Sequence, residues 1–443
     1  MSTYPTYKNS GIAWLGDIPE HWEVNRLKNI TAKSIGGVWG DEPNEDGKDT
    51  IVVRVADFDR DKASIIDSEE FTYRAISENH LLDRKLNKND ILLEKSGGGE
   101  KQLVGKAVIF DKDFDAVCAN FIQKVEIIER FDKRFILHVF TSIYDGRINF
   151  PYVNQTTGIQ NLDITAFFNH CISYPKSKEK QTAIANYLDK KTSKLDQLIS
   201  NKKDQIDKLK EIRQIEINTA VTKGLDPNVT LKPSGIEWLG DIPKHWELWK
   251  LSSKFKDISS GTTPQAGSDR FYEKGKYPWI NTGDLNDSFL HACKRKVTQT
   301  ALDEHSVLKL HPPGVLIMAM YGATIGKLGI TSFKACCNQA CCVIGQSKSI
   351  DTKYLFYWLM GNRIEIVNRA YGGGQPNISQ DVIKRLRITC PPPNEQTAIA
   401  NYLDEKTSKL DQLVSNLENQ IEQLQEVRKI EIYNAVTGKI KVA

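Results

Sequence analysis

The chain says the same thing twice, and that limits what it can fold into more than any other feature. Residues 11–23 read GIAWLGDIPEHWE and residues 235–247 read GIEWLGDIPKHWE, differing only at Ala13/Glu237 and Glu20/Lys244. Residues 181–198, QTAIANYLDKKTSKLDQL, return at 396–413 with the single change Lys190/Glu405. The offsets are 224 and 215 positions, so the second copy is nine residues shorter between the matched blocks. Between the blocks, residues 38–103 and 261–321 share almost nothing, and then weak echoes return. Val104-Gly105-Lys106 parallels Ile325-Gly326-Lys327, Ala119-Asn120 parallels Cys337-Asn338, and Gln160-Asn161-Leu162 parallels Pro376-Asn377-Ile378. A duplicated frame with unlike contents suits a protein that does one job twice on two different targets.

Composition sets the class. A chain of 443 residues suits about two to four domains. Its 40% hydrophobic and 26% charged content is that of a soluble globular protein. No run of about 18 apolar residues is present, so no membrane partner is expected. The start, MSTYPTYKNSGIAWLGD, has no basic stretch leading into an apolar core and does not read as a secretion signal. The eight cysteines include the neighbours Cys336-Cys337 and Cys341-Cys342, which fit reduced thiols in a cytoplasmic protein better than a disulfide framework. A net charge of +4 permits nucleic-acid binding without demanding it.

Residues 176–224 and 392–443 carry heptads. Leu188, Leu195 and Leu209 form one ladder, with Thr192, Ile199, Ile206 and Ala220 beside it. The second copy has Leu403, Leu410, Leu417 and Leu424 at strict sevens, with Val414, Ile421 and Ala435 alongside. Pro175 and Ser177 precede the first helix, Pro393 and Asn394 precede the second, and Gly224 and Gly438 stop them. Helices of about 40 residues would run roughly 60 Å. Two such helices should pair as an antiparallel coiled coil rather than lie singly on a globular core, because the apolar stripe is narrow and the other faces are charged. Lys202 replaces Leu417 on the ladder and is a candidate register-setting polar position. Leu198, Leu413, Val427 and Ile430 lie off the seam and predict faces that partners cover.

The segments 1–175 and 225–391 read as α+β modules. Candidate strands are 51–55, 91–94, 104–110, 121–128, 315–319, 327–331 and 341–344, with short helices at 135–144 and 353–370. Several catalytic patterns fail on inspection. Gly105-Lys106 and Gly326-Lys327 lack the earlier glycine of a phosphate loop, those positions being Glu100 and Tyr321, and no Ser or Thr follows the lysine. Asn149-Phe150-Pro151-Tyr152 lacks the first proline of an adenine methyltransferase motif, and no glycine-rich cofactor loop precedes it. Gly97-Gly98-Gly99 runs into Glu100-Lys101-Gln102, which reads as a mobile loop and not a helix start. The paired cysteines lack zinc-knuckle spacing and fit a strand core better.

The second module carries more specific wording. Gly261-Thr262-Thr263-Pro264 is followed by Pro278-Trp279-Ile280-Asn281-Thr282-Gly283-Asp284-Leu285, then Gly322-Ala323-Thr324-Ile325-Gly326-Lys327, Asn338-Gln339, Gln375-Pro376-Asn377-Ile378 and Pro391-Pro392-Pro393-Asn394-Glu395-Gln396. With Ile242-Pro243-Lys244-His245-Trp246, this order resembles the specificity subunits of type I restriction-modification systems along the whole chain. The first module departs from the pattern, with Gly36-Gly37-Val38-Trp39 where Gly261-Thr262-Thr263-Pro264 stands and Val53-Arg54-Val55-Ala56-Asp57-Phe58 where Trp279–Leu285 stands.

The resemblance implies two target-recognition domains, 1–175 and 225–391, and two spacer helices, 176–224 and 392–443. Each domain would read one half of a split target on double-stranded DNA. The helices would fix the gap and dock two methyltransferase subunits, with motor-nuclease subunits joining them. It also implies a non-catalytic chain that binds no cofactor, S-adenosylmethionine, ATP and magnesium residing in the partners. An overlap of about 30 residues would span roughly 45 Å, or roughly 13 base pairs. Base-edge readout needs Arg, Lys, Asn, Gln and small hydroxyls on loops. The first module offers Lys95, Ser96, Lys101, Gln102, Asn154, Gln155 and Thr156; the second offers Thr262, Gln265, Arg270, Tyr321, Thr324, Gln375 and Asn377. Framework roles are expected for Gly105, Gly326, Asn120, Asn338, Trp279 and Asp284. The rival readings are a coiled-coil scaffold without DNA binding and a specificity-like subunit of a related antiphage system. A fused enzyme fails because no stretch is left for a methyltransferase domain.

Overall fold

The computed structural model describes residues 3–44, 47–99, 102–156, 158–368 and 377–442. The first module contains β1 (Thr31–Gly36), β2 (Ile91–Glu94), β3 (Ser96–Gly97), β4 (Ala107–Ile109), β5 (Ile122–Ile127), α1 (Lys133–Asp145), β6 (Val153–Thr156) and β7 (Ile159–Leu162). Helix α2 spans Lys178–Lys223. The second module contains β8 (Ile258–Ser260), β9 (Ser288–Leu290), β10 (Leu316–Ala319), β11 (Leu328–Thr331), β12 (Cys341–Ile344) and α3 (Thr352–Gly361), and α4 spans Pro393–Val436. The chain divides into two units, Met1–Lys203 with Leu417–Ala443, and Asp204–Asn416, so each unit is one module with part of both long helices.

The main sheets have matching orders. In the first unit the order is β4–β2–β5–β1, all antiparallel. In the second it is β8–β12–β10–β11–β9, the same arrangement with β9 added parallel to β11. A smaller sheet also repeats: Thr50–Val53 runs parallel to Ala116–Cys118 in the first unit, and Tyr277–Ile280 runs parallel to Cys336–Cys337 in the second. Stretches with almost no sequence in common therefore share a topology. The central strands are buried on both faces. Ile91 and Leu93 enter one apolar cluster and Leu92 another, and Cys341 and Cys342 likewise divide between two clusters. That explains their unbroken apolar runs. Burial pushes the thiols of Cys336, Cys337 and Cys342 up to about 12.

Some boundaries move for local reasons. The strand expected from 104 begins at Ala107, after Gly105 at φ +105 interrupts the extended backbone. The helix expected over 353–370 breaks at Asn362 into Thr352–Gly361 and Arg363–Val367. Pro393, expected just before the second helix, is its first residue, a position where the missing N–H costs nothing.

The repeated blocks hold each unit together. Gln181, which opens the second block, donates to the Pro175 carbonyl at 2.9 Å and accepts from the Asp132 backbone N–H. Gln396 does the same with Pro391 and Asp351. Both join the helix start to the cap of the module helix, since Asp132 and Asp351 are the N-caps of α1 and α3. Trp22 and Trp246, from the first block, are fully buried. Each meets the glycine that ends a long helix, Gly438 against Pro19 and Trp22, Gly224 against Pro243 and Trp246.

Within each unit the helices pair antiparallel, through the same residue types with the two helices exchanging roles. In the first unit Tyr187 donates to Glu431 at 3.1 Å, Lys191 pairs with Glu431, and Arg428 with Asp196. In the second Tyr402 donates to Glu216 at 2.9 Å, Lys406 pairs with Glu216, and Arg213 with Asp411. Lys202 donates to Gln420 at 2.5 Å, so the ladder lysine does meet the opposite helix.

Candidate nucleic-acid interface

The candidates of the first module lie on or beside the small sheet β3–β7–β6. Ser96 pairs with Asn161, and Asn161 with Asn154, placing three polar residues in one row on one face. The Ser96 hydroxyl donates to Asn161 Oδ1 at 2.7 Å. The next row is Gly97, Gln160 and Gln155. Asn154 and Gln155 are exposed, and Thr156 follows them on β6. Lys101 lies outside the described residues. Glu100 also lies outside the described residues, and the described residues on either side of it and Lys101 are tied to the sheet. Gly99 and Gln102 pair as a bridge, and the buried Gln160 donates to the Gly99 carbonyl and accepts from Val104 N–H, each at 3.0 Å.

Gln102 is exposed with its carboxamide turned to Arg60. Arg60 in turn binds Glu94 and the Tyr144 hydroxyl, each at 3.0 Å. Below lies a cavity of about 470 Å³, with Arg60, Lys106, Tyr144, Asp196 and Arg428 in its walls. Lys106 is 4% exposed and stands 5.1 Å above the Tyr144 ring. Burial lowers the proton affinity of its ammonium. Asn149 is buried and donates to the Val104 carbonyl at 2.8 Å, a framework contact.

The second module assembles a corresponding patch. Tyr321 pairs with Asn377, as Ser96 pairs with Asn161. Gln339 accepts from the Thr263 hydroxyl and hydrogen-bonds the Tyr321 side chain. Thr262 accepts from the indole N–H of buried Trp279 at 3.2 Å. Thr324 closes the turn Gly322–Thr324, its carbonyl accepting from Lys327 N–H. Gln265 is exposed on the following loop. Arg270 is engaged elsewhere, paired with Glu304 and lying 5.0 Å over Phe271. Gln375 lies outside the described residues.

Three residues of these patches, Gln160, Asn161 and Gln339, stand in echoed segments or motifs but were not among the candidate contacts. The echoed Asn161/Asn377 and Asn120/Asn338 were signals for them, but only strand pairing shows what they stand beside. The departures of the first module are resolved in the backbone. A Cβ on Gly37 would lie 2.1 Å from the Ala119 carbonyl, and one on Gly261 would lie 1.7 Å from the Cys337 carbonyl, so both modules need glycine at the same close approach. The turns Val55–Asp57 and Thr282–Asp284 also agree, Asp57 accepting from Arg54 N–H at 2.7 Å and Asp284 from Asn281 N–H at 2.9 Å.

Two α+β modules of one topology, each with its own polar patch and each packed on its own stretch of both long helices, define a two-module recognition protein. The type I restriction modification DNA specificity domain matches residues 19–208 and 243–423, and the chain belongs to that family. It is 27% identical over 380 residues to the MjaVIII type I restriction enzyme specificity subunit of Methanocaldococcus jannaschii, covering 81% of this chain and 80% of that one. A second chain of that organism, assigned as the MjaX specificity subunit, is 24% identical over 437 residues, covering 97% and 96%. Among solved structures, a chain from work on complex assembly and conformational transition of the type I R-M system aligns with TM-score 0.72 at 14% identity, covering 96% and 99%. The HsdS subunit of Thermoanaerobacter tengcongensis aligns with TM-score 0.52 at 15% identity, covering 96% and 98%. These two likenesses establish the fold. No helix among the described residues is long and apolar enough to cross a membrane.

Proposed function

We propose that this chain is the specificity subunit of a type I restriction-modification complex, in which each unit reads one half of a bipartite target on double-stranded DNA. The observation that carries this reading is the pair of matched patches. Asn161 in one unit and Asn377 in the other are the same residue at corresponding positions, and the residue paired with each differs, Ser96 in the first and the larger aromatic Tyr321 in the second. Unlike groups on one frame are what reading two different half-sites requires. Lys95, Ser96, Gln102, Asn154, Gln155, Thr262, Gln265, Tyr321, Thr324 and Asn377 are the contact set, the lysine and hydroxyls also suiting phosphates.

Two identical methyltransferase subunits would dock on the helices. What supports this is a set of exposed apolar residues at matched positions: Leu198 and Leu413 at 48% and 50%, Ile212 and Val427 at 43% and 42%, Ile215 and Ile430 at 56% and 49%. Each unit presents one of each pair. The chemistry would belong to the partners, which would hold S-adenosylmethionine, ATP and magnesium, and this chain would supply position and sequence choice. The test is methylation sequencing of DNA from a host carrying the neighbouring methyltransferase gene, with and without this chain. A split adenine-methylation motif present only with the chain is expected; no motif, with the methyltransferase expressed and bound, would favour a scaffold instead.

A further inference from the structure

We propose that Asn120 and Gln339 are one base-reading position, held by the same turn in the two units and presenting a carboxamide to an adenine edge in each half-site; this rests on the specificity reading above. The backbone fixes the equivalence. In the first unit Cys118 pairs with Val53 and Ile122 with Glu94, and in the second Cys337 pairs with Ile280 and Cys341 with Ala319. Glu94 and Ala319 both donate to the lysine of the echoed Gly-Lys pairs, Lys106 and Lys327. The strands are therefore matched on both sides of Ala119-Asn120-Phe121 and of Asn338-Gln339-Ala340. Each segment closes as a tight turn, Ile122 N–H donating to the Ala119 carbonyl at 2.9 Å and Cys341 N–H to the Asn338 carbonyl at 3.3 Å. The next strand fastens both turns at the same place, Lys95 N–H donating to the Phe121 carbonyl at 2.9 Å and Met320 N–H to the Ala340 carbonyl at 2.8 Å. Ser96 and Tyr321, which follow, pair with the matched asparagines Asn161 and Asn377.

Turn chemistry does not account for these two carboxamides. The first turn position is where an asparagine side chain serves the turn backbone. In the second unit that residue is Asn338, and its Oδ1 accepts from Ala340 N–H at 3.1 Å. In the first unit it is Ala119, and the turn closes all the same. Asn120 and Gln339 stand one place further on, and both are exposed. Among the described residues the Asn120 carboxamide has no hydrogen-bond partner. Gln339 is steadied, its Oε1 accepting from the Thr263 hydroxyl while the carboxamide also hydrogen-bonds the Tyr321 hydroxyl. These contacts orient the carboxamide without using it up, since its oxygen accepts two bonds and its nitrogen donates two. An adenine edge in the major groove matches what is left, its N6 amino group donating and its N7 accepting, which is the pairing Asn and Gln make. A side chain already oriented also loses less freedom on binding. The first unit has serine where Tyr321 stands, so its shorter carboxamide would be ordered only by the base it meets.

The experiment uses the full chain co-expressed with its methyltransferase partner, the methylated motif being read by single-molecule sequencing. Asn120→Ala should relax one adenine–thymine position in one half-site by about tenfold, and Gln339→Ala should do the same in the other half-site only. Thr263→Val, which removes the hydroxyl that orients Gln339, should relax the same position as Gln339→Ala to a smaller degree. Asn120→Asp and Gln339→Glu keep the side-chain size but offer only acceptors, so each should move its position from adenine towards cytosine. If an alanine variant abolishes methylation altogether, the acidic variant decides: a motif moved towards cytosine upholds the proposal, and an unmoved motif or a second loss overturns it. Motifs identical to wild type in both alanine variants, or a change in both half-sites from one variant, also overturn it. A wild-type chain that yields no split motif would instead remove the specificity reading itself, so the two failures are distinguishable.

Discussion

Arg428 donates from Nε to Asp196 at 3.1 Å, joining the last turns of one long helix to the first half of the other. Asp196 also lies near Asp59 and Asp61, and burial pushes its carboxyl up while Arg428 draws it back. Arg428→Ala would leave a half-buried carboxylate among like charges. We expect a loss of about 2 kcal/mol, seen as a lower denaturation midpoint. The matched pair Arg213–Asp411 makes Arg213→Ala the parallel test in the second unit.

Gly438 ends its helix at φ +72, and a Cβ there would lie 2.4 Å from Pro19. Gly11 has φ +71 with nothing within 4 Å. Gly11→Ala should cost about 1 kcal/mol, for the left-handed backbone alone. Gly438→Ala should cost about 3 kcal/mol, because the helix end must also move off the Pro19 and Trp22 side chains. Equal midpoints for the two variants by thermal unfolding would remove this contact as a determinant.

Lys106 bears on pH. Burial makes its ammonium easier to deprotonate in the folded chain than in the unfolded one, and its contacts are the Tyr144 ring and, through its backbone N–H, Glu94. Below the folded value both states are protonated and the full cost of burying the charge is present. As pH rises towards the ordinary lysine value, the folded chain loses its proton first and stability increases. Lys106→Met should therefore stabilise the chain at neutral pH, on the order of 1 kcal/mol, with the gain shrinking on the alkaline side. A constant difference between the two chains from pH 7 to 10 would contradict this.

The matched apolar residues predict the partner stoichiometry. Leu413→Asp with Ile215→Asp alters exposed positions and should change the stability of the chain by less than about 0.5 kcal/mol per site. In the assembled complex it should remove one methyltransferase subunit of two, read by native mass spectrometry. Adding Leu198→Asp and Ile430→Asp should remove the other. Retention of both subunits by the fourfold variant would place docking elsewhere.

Much of the architecture was legible in residue order. The repeated blocks mark a duplicated frame and the heptads mark the paired helices, because repetition and helical periodicity are local properties; that Trp22 and Trp246 are buried anchors and that Gln181 and Gln396 tie each helix start shows only in the structure. The tie between Gly99 and Gln160 had no signal in the sequence, since the two lie about 60 residues apart in the chain. Arg270, read as a loop residue, stands in the short helix Asp269–Tyr272 with Glu304 as its ion-pair partner, a pairing across about 30 residues that the sequence did not signal.

What the sequence determined alone is a duplicated frame: two modules, two pairing helices and the glycines that stop them. Those features depend on period, burial and backbone conformation, all of which near neighbours in the chain specify. The tertiary structure alone decided which residues share a patch. Ser96, Asn154 and Asn161, or Thr263, Tyr321, Gln339 and Asn377, come from distant segments, and antiparallel strand pairing or side-chain contact brings them together. Register across a sheet is set by packing between strands and has no period within either one.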